Sequence, residues 1–175
     1  AMKTGEAGTL RARPGYETGA WNGLYVQADF DKIWMLGGDY NSTRNGKTTL
    51  PVIADPAMTA LNRLQLTYAS DFDTKFVLGR QRLLIGNQRF IGNSGWRQHE
   101  QTFDAISAVN NSIDRLTLPY AWLYRVNRVY GPDEPAPSNT IAAATGQATT
   151  CKSDSHVIDG VFTGMPGLRL EGYAF

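Results

Sequence analysis

Several features that would point to common protein classes are missing from this chain. It has one cysteine, Cys151, which excludes an internal disulfide and a multi-cysteine metal site. No segment approaches the roughly 18 consecutive apolar residues of a membrane-spanning helix. Lys and Arg number 17 against 16 Asp and Glu, and this balance argues against a general nucleic-acid-binding protein. With two histidines and no G-x-S-x-G nucleophile motif, the chain is not predicted to be an enzyme.

The remaining bulk properties do not decide whether the strands of the protein face water or the lipids of a membrane. At 175 residues the chain is long enough for one domain with a core of its own. The mean hydropathy of −0.33 is typical of a soluble protein. A membrane β-barrel has a similar value, however, because its strands need apolar residues only at every second position.

Apolar and polar residues alternate with period two along most of the chain, which predicts an all-β, antiparallel fold. The sixth predicted strand is the clearest example. One face of it carries Leu116, Leu118, Tyr120, Trp122, Tyr124 and Val126. The alternation predicts about eight strands, at residues 9–18, 21–36, 61–70, 74–85, 102–109, 116–127, 155–163 and 168–175. In the fourth strand it fails near residues 79–82, which indicates a bulge or a change of register.

The connections between these strands alternate between short and long. Short joins are predicted at residues 18–20, 70–73, 110–112 and 164–167. Long polar connections lie at about 37–60, 86–101 and 131–155, and the last has the composition of a mobile exposed loop over 132–148. This pattern predicts an up-and-down meander with its tight turns at one end, as in outer-membrane barrels.

Two solvents can explain the alternation. In a soluble, lipocalin-like ligand-binding barrel the apolar faces point inward, whereas in a membrane barrel they face lipid and the charges line a wet lumen. Aromatic residues flank the apolar stretch of the sixth strand, as an interfacial girdle would, and this favours the membrane. A non-conducting structural membrane barrel is a further alternative.

One segment resembles a known family. Residues 79–104 read GRQRLLIGNQRFIGNSGWRQHEQTFD. This run is similar to the alginate-export family of bacterial outer-membrane barrels, in which a G-R-Q strand leads into an N-x-R-F-[IV]-G-N-x-G-W-R-Q-x-E-Q-T-F-D loop. Residues 39–43, 51–56 and 124–132 look similar to that family as well.

The resemblance implies a porin-like channel in the Gram-negative outer membrane. Members have barrels of about 16–18 strands, so residues 1–175 are expected to be a single barrel domain or the N-terminal portion of one. The implied partners are the lipid bilayer with lipopolysaccharide and small anionic solutes such as uronic-acid oligomers or organic acids. An oligomer is possible, nucleic acid is not expected, and passive transport needs no cofactor.

The charged residues on the polar faces are the candidate site. Guanidinium groups pair bidentately with carboxylates, so an arginine-rich lumen would attract anions. The predicted pore-lining residues are Arg11, Arg13, Asp29, Asp31, Arg63, Arg80, Arg82, Arg97 and Arg125. The alternative is that these charges only satisfy one another and fill the lumen.

The loop at 87–101 is the second candidate. It combines Arg89, Trp96, Arg97, His99 and Glu100 with several glycines. One interpretation is a constriction loop folded into the pore, with Trp96 as its packing anchor and Arg97 presented to solute. The other is an Ω-type loop packed by its own side chains.

Overall fold

The structure is a computed structural model that describes residues 4–131 and 150–175. It contains nine strands: β1 (Gly8–Ala12), β2 (Gly15–Glu17), β3 (Leu24–Gly37), β4 (Met58–Ala69), β5 (Thr74–Gln81), β6 (Thr102–Ile113), β7 (Leu116–Asn127), β8 (Thr150–Met165) and β9 (Leu168–Ala174). None of the described segments forms a helix with the length and hydropathy needed to span a bilayer. The predicted mobile loop at 132–148 lies outside the described residues.

All nine strands belong to one antiparallel sheet, in the order β1-β3-β4-β5-β6-β7-β8-β9. Strand β2 also pairs with β3, beside β1. The first predicted strand, 9–18, is therefore interrupted at Arg13 and Pro14, where the proline has no N–H to donate to a ladder. Because β1 and β2 share one position, the meander has the eight positions that the sequence predicts.

The connections also follow the predicted pattern. Short turns at 18–23, 70–73, 114–115 and 166–167 lie at one end of the sheet, and the connections at 38–57 and 82–101 lie at the other, where β7 also ends at Asn127. One turn is displaced from its prediction. Residues 110–112 belong to β6, and the chain reverses at Asp114 and Arg115, where Arg115 adopts a φ of 62°.

One face of the sheet is apolar and exposed. It carries ten large side chains from β3 to β8: Val26, Phe30, Leu64, Leu66, Tyr68, Phe76, Leu78, Ile106, Tyr120 and Ile158. The register places Val26 opposite Leu66, and Leu66 opposite Leu78, so the apolar surface is continuous across neighbouring strands. We call this the apolar face.

The opposite face carries the charges and is covered by the connection 82–101. Asp29 and Asp31 of β3 are buried on it, and Arg63 of β4 lies opposite Asp29. We call this the covered face. A sheet with its apolar side exposed and its charged side covered has the inverted arrangement of a membrane barrel.

Bulges change which face some residues occupy. At Tyr124 the register slips by one residue, from Leu123 opposite Ala105 to Arg125 opposite Asp104. Val126, expected on the apolar face, consequently packs with Leu123 on the covered face. Strand β5 ends at Gln81 instead of near residue 85, just after Gly79, whose φ is 114°.

We expect Gly79→Ala to destabilise the protein. A Cβ at this position would lie 2.4 Å from the carbonyl oxygen of Leu64, and the backbone conformation is one that L residues rarely adopt. A cost of about 1–3 kcal/mol in the free energy of unfolding is expected. Urea titration of the folded protein in detergent measures this cost.

Gly172→Ala is the matched control, because nothing lies within 4 Å of a Cβ built there. It should leave the unfolding midpoint nearly unchanged. Equal midpoints for the two variants would show that β5 does not need glycine at position 79.

Candidate functional site

The connection 82–101 crosses the covered face and packs against it through apolar side chains. Leu83, Ile85 and Ile91 of the connection pack against a buried cluster formed by Phe103, Ala105, Leu123 and Val157 of β6, β7 and β8. Burial of such side chains favours docking by about 25 cal/mol for each Å² of apolar surface removed from water. We call residues 82–101 the crossing loop.

At the β1 side of the sheet, Glu100 is the central anchor of the crossing loop. Its buried carboxylate accepts hydrogen bonds from Arg13 at 2.6 Å, from Arg82 at 2.5 and 2.7 Å and from Asn93 at 2.6 Å. Burial alone would raise the pKa of Glu100, but the bonds from Arg82 and Asn93 and the nearby positive charges lower it. Glu100 therefore stays ionised and ties the loop to Arg13.

Asp31 of β3 extends this network. Its carboxylate is fully buried and accepts two bonds from Arg13, at 2.6 and 2.9 Å. The Nδ1 atom of His99 lies 2.9 Å from the same carboxylate. Arg13 thus bridges two buried acids, one on the sheet and one on the crossing loop, in the bidentate geometry for which guanidinium is suited.

Two further contacts bind the end of the crossing loop. Arg11 donates from Nη1 to the carbonyl oxygen of Gln98 at 2.8 Å. The backbone N–H of Gln98 donates to Asp55 of the connection 38–57, also at 2.8 Å. Arg97 lies 3.8 Å from the second oxygen of Asp55. The two long connections therefore contact each other above the covered face.

The opposite end of the crossing loop reaches β9. The ring of Phe90 lies 5.9 Å from that of Tyr173 and 5.2 Å from that of Phe175. Gly86 lies against Glu171, whose Oε1 atom would be 3.0 Å from a Cβ at that glycine. The same loop thus contacts both β1 and β9, the two ends of the strand order.

The structure brings together seven of the nine residues that the sequence singles out. On the covered face, Arg63 pairs with Asp29, Arg13 with Asp31, and Arg82 with Glu100. Arg11 and Arg97 join them through Gln98 and Asp55.

Arg80 and Arg125 do not join this group. Arg80 lies opposite Leu64 and alternates with Leu78, so it is in phase with the apolar face. The bulge at Tyr124 places Val126 on the covered side of β7, so Arg125 points to the opposite side. Both approach Asp104, at 2.8 and 3.8 Å. They form a separate polar cluster, so the structure does not bring these two residues together with Arg63, and their pore-lining role stays a prediction.

The expected role of Trp96 also changes. Its side chain is 80% exposed and does not anchor the crossing loop. The anchors are Glu100 and the apolar residues Leu83, Ile85 and Ile91. The loop carries its own hydrogen bonds, such as Gln101 N–H to Asn93 at 2.7 Å, so it is both internally packed and folded across the sheet.

Sequence reasoning missed two contributors. Asp55 and Asp104 hold arginines in place, but neither stands in a motif that marks it.

Within residues 4–131 and 150–175, no three His, Cys, Asp or Glu side chains come together as metal ligands would.

Comparison with solved structures identifies the fold. No protein-family model and no curated protein sequence matches the chain. The structure is similar to OccAB3 of Acinetobacter baumannii, with a TM-score of 0.60 and 16% identity, and to OpdQ of Pseudomonas aeruginosa, with a TM-score of 0.50 and 12% identity. Each match covers 94% of this chain and 41% or 42% of the neighbour.

Both neighbours are Gram-negative outer-membrane channels of the Occ/Opd type. The fold is therefore that of a porin β-barrel, and the open sheet described here is part of one. The chain spans less than half the length of these proteins. The comparisons do not support the alginate-export family, which remains an interpretation of residues 79–104.

We expect Glu100→Gln to loosen the crossing loop. The amide cannot replace the charge that Arg13 and Arg82 share, and breaking a buried ion pair costs about 3–5 kcal/mol. A spin label at Leu84→Cys, in a Cys151→Ser background, should become more mobile. Glu17→Gln, an exposed carboxylate in β2, is the control and should leave the label unchanged.

The same label should report a dependence on pH. Because the folded-state pKa of Glu100 is lowered, its contribution is complete above the ordinary glutamate pKa of about 4.3 and is lost as pH falls through the lower folded value. The label should stay immobile as pH falls from neutrality to the ordinary glutamate pKa, and it should become mobile only below that value. Mobility that rises already near pH 6 would point to another group.

Proposed function

We propose that this chain forms part of an outer-membrane channel that passes small anionic solutes. The observation that carries the proposal is the division of the sheet into an exposed apolar face and a charged face crossed by residues 82–101. The porin fold of the solved neighbours supports the same assignment. In this arrangement the apolar face contacts lipid and the covered face lines the lumen.

The arginines of the covered face have two different roles in this proposal. Arg13, Arg63 and Arg82 each contact a largely buried carboxylate, so they position the crossing loop and contribute little net charge. Arg11 has no acidic partner among the described residues, and Arg97 lies 3.8 Å from its partner. We assign the attraction of anions chiefly to Arg11 and Arg97.

Passage through such a lumen needs no cofactor. Guanidinium groups are weakly hydrated and replace part of the water around a solute carboxylate. The crossing loop narrows the path and brings solute close to these groups. Glu171, whose carboxylate lies beside Gly86 of the crossing loop, keeps any one site from holding the anion too tightly to release it, whereas Asp29 and Asp31 are already paired with Arg63 and Arg13. Uronic-acid oligomers and organic acids remain the candidate solutes.

A non-conducting structural barrel is the second candidate, because most arginines of the covered face are already paired. Conductance in a planar bilayer separates the two functions. A soluble ligand-binding barrel is disfavoured, since ten large apolar side chains are exposed on one side of the sheet and would face water.

We expect Leu66→Arg in the complete protein to impair folding into lipid. Leu66 is central on the apolar face, and a charge on the lipid side near the membrane midplane costs about 2–4 kcal/mol. Folding into phospholipid vesicles, followed by urea titration, measures the loss. Phe72→Arg is the matched control, because Phe72 is exposed in the turn at 70–73. If both variants fold equally well, the apolar face does not contact lipid.

We expect Arg11→Gln to weaken anion selectivity while the barrel remains folded. The change removes a positive charge that has no acidic partner in the described part of the chain. The reversal potential of the complete channel under a salt gradient reports the preference. The wild-type preference should decline as salt rises, because the Debye length falls from about 10 Å at 0.1 M to 3 Å at 1 M.

Arg115→Gln, in the turn at the opposite end, makes the same chemical change away from the crossing loop. Its effect on the reversal potential should be smaller than that of Arg11→Gln. A wild-type channel that prefers cations would contradict the anionic assignment.

A further inference from the structure

The crossing loop carries a cleft that the proposed transport of anions does not by itself require. The cleft encloses about 230 Å³ and is lined by Gln88, Arg89, Phe90, Gly92, Ser94, Trp96 and Gln101. It is separate from the ion pairs around Glu100. Its volume is below the range of about 300–1,000 Å³ that is typical for sites of drug-sized ligands, so it suits a single ring.

The two aromatic side chains of the cleft are unusually exposed. Trp96 is 80% exposed and Phe90 57% exposed. Trp96 makes no ring contact with another aromatic side chain in the described parts of the chain, whereas Phe90 is held from behind by Tyr173 and Phe175. A solvent-exposed indole provides a flat apolar surface on which a ligand ring can stack. The cleft therefore combines a free indole with a supported phenyl ring.

The polar groups of the cleft indicate the rest of the ligand. The Arg89 guanidinium lies 5.8 Å from the centre of the Phe90 ring, and it has no acidic partner within residues 4–131 and 150–175. The amide of Gln88 and the hydroxyl of Ser94 line the same space, and the Gln101 amide donates to the Gly92 carbonyl at 3.1 Å. Amides and hydroxyls match a ligand with several hydroxyl groups, and a free guanidinium matches a carboxylate.

The crossing loop also holds these groups in fixed positions. The backbone N–H of Gln88 donates to Ile85, and that of Arg97 donates to Ser94. Gln88 and Ser94 adopt φ values of 62° and 51°, which turn the chain sharply on either side of Phe90. Because these hydrogen bonds already order the loop, the cleft loses little conformational entropy when it binds a ligand.

From this geometry we infer that the cleft is a binding subsite for the ring of a sugar acid, with Trp96 stacking on the ring and Arg89 pairing with its carboxylate. The inference rests on the proposed channel function and adds ring selectivity to it. Glucuronate, which has both a ring and a carboxylate, binds at this subsite. Gluconate, an open-chain acid of the same carbon number, lacks the ring, and glucose lacks the carboxylate.

The first experiment measures binding to the complete protein in detergent by titration calorimetry, which does not depend on conduction. Glucuronate should bind more tightly than gluconate or glucose. Trp96→Ala should weaken glucuronate binding by up to about tenfold, because it removes the stacking contact with the ring, and tenfold corresponds to about 1.4 kcal/mol. Arg89→Gln should weaken glucuronate but leave glucose unchanged.

Two control variants make the result specific. Trp21→Ala removes another exposed tryptophan, near the short turn at 18–23, and Arg115→Gln removes an arginine of the turn at 114–115. Neither should change glucuronate binding. If Trp96→Ala binds glucuronate as Trp21→Ala does, the subsite is overturned. If benzoate binds more tightly than glucuronate and depends on Trp96, the sugar assignment is overturned in favour of an aromatic acid.

A second experiment separates this inference from the proposed function. In planar bilayers, glucuronate should produce concentration-dependent current noise that Trp96→Ala removes while anion selectivity persists. A channel that selects anions but shows no such noise keeps its proposed function and loses the subsite. A protein that binds glucuronate through Trp96 but does not conduct loses the channel function and keeps the subsite.

Discussion

The buried carboxylate of Glu100 is the interaction on which the arrangement of the covered face depends. It receives bonds from Arg13, which lies between β1 and β2, and from Arg82 and Asn93 of the crossing loop itself. A lone carboxylate in that position would be costly to desolvate, and so would each arginine without it. The buried charges of Glu100, Arg13 and Arg82 therefore stabilise one another, and their association holds a long connection across the sheet.

The apolar contacts and the ion pairs hold different parts of the crossing loop. Leu83, Ile85 and Ile91 pack its first half against β6–β8. The hydrophobic effect is non-directional, so these contacts hold the loop on the sheet without selecting particular partners. The ion pairs of its last residues are directional and determine which side chains meet. Phe90, beside Ile91, and Trp96, before the ion-paired residues, remain exposed. The position of the cleft thus follows from how the loop is held.

Pairing also decides what the arginines can do. Arg13, Arg63 and Arg82 are neutralised by neighbouring acids at short range, so their number alone overstates the positive potential of the face. Arg11, Arg97 and Arg89, which have weak or absent acidic partners in the described residues, lie on or beside the crossing loop. In the proposed channel, a solute would meet them beside the crossing loop.

Alternation along the strands, together with the spacing of turns, was enough to predict the all-β meander, its eight positions and its two opposed faces, because side chains of a strand point to opposite sides with period two. It could not predict where bulges shift that period, so Val126, Arg125 and the turn at Asp114 were misplaced. The composition of the loop favours a functional segment, but it does not reveal that Glu100 anchors the loop while Trp96 stays exposed. Only the tertiary structure decided which carboxylates meet which arginines, since Asp31 and Glu100 are 69 positions apart and nothing local marks them as partners of Arg13.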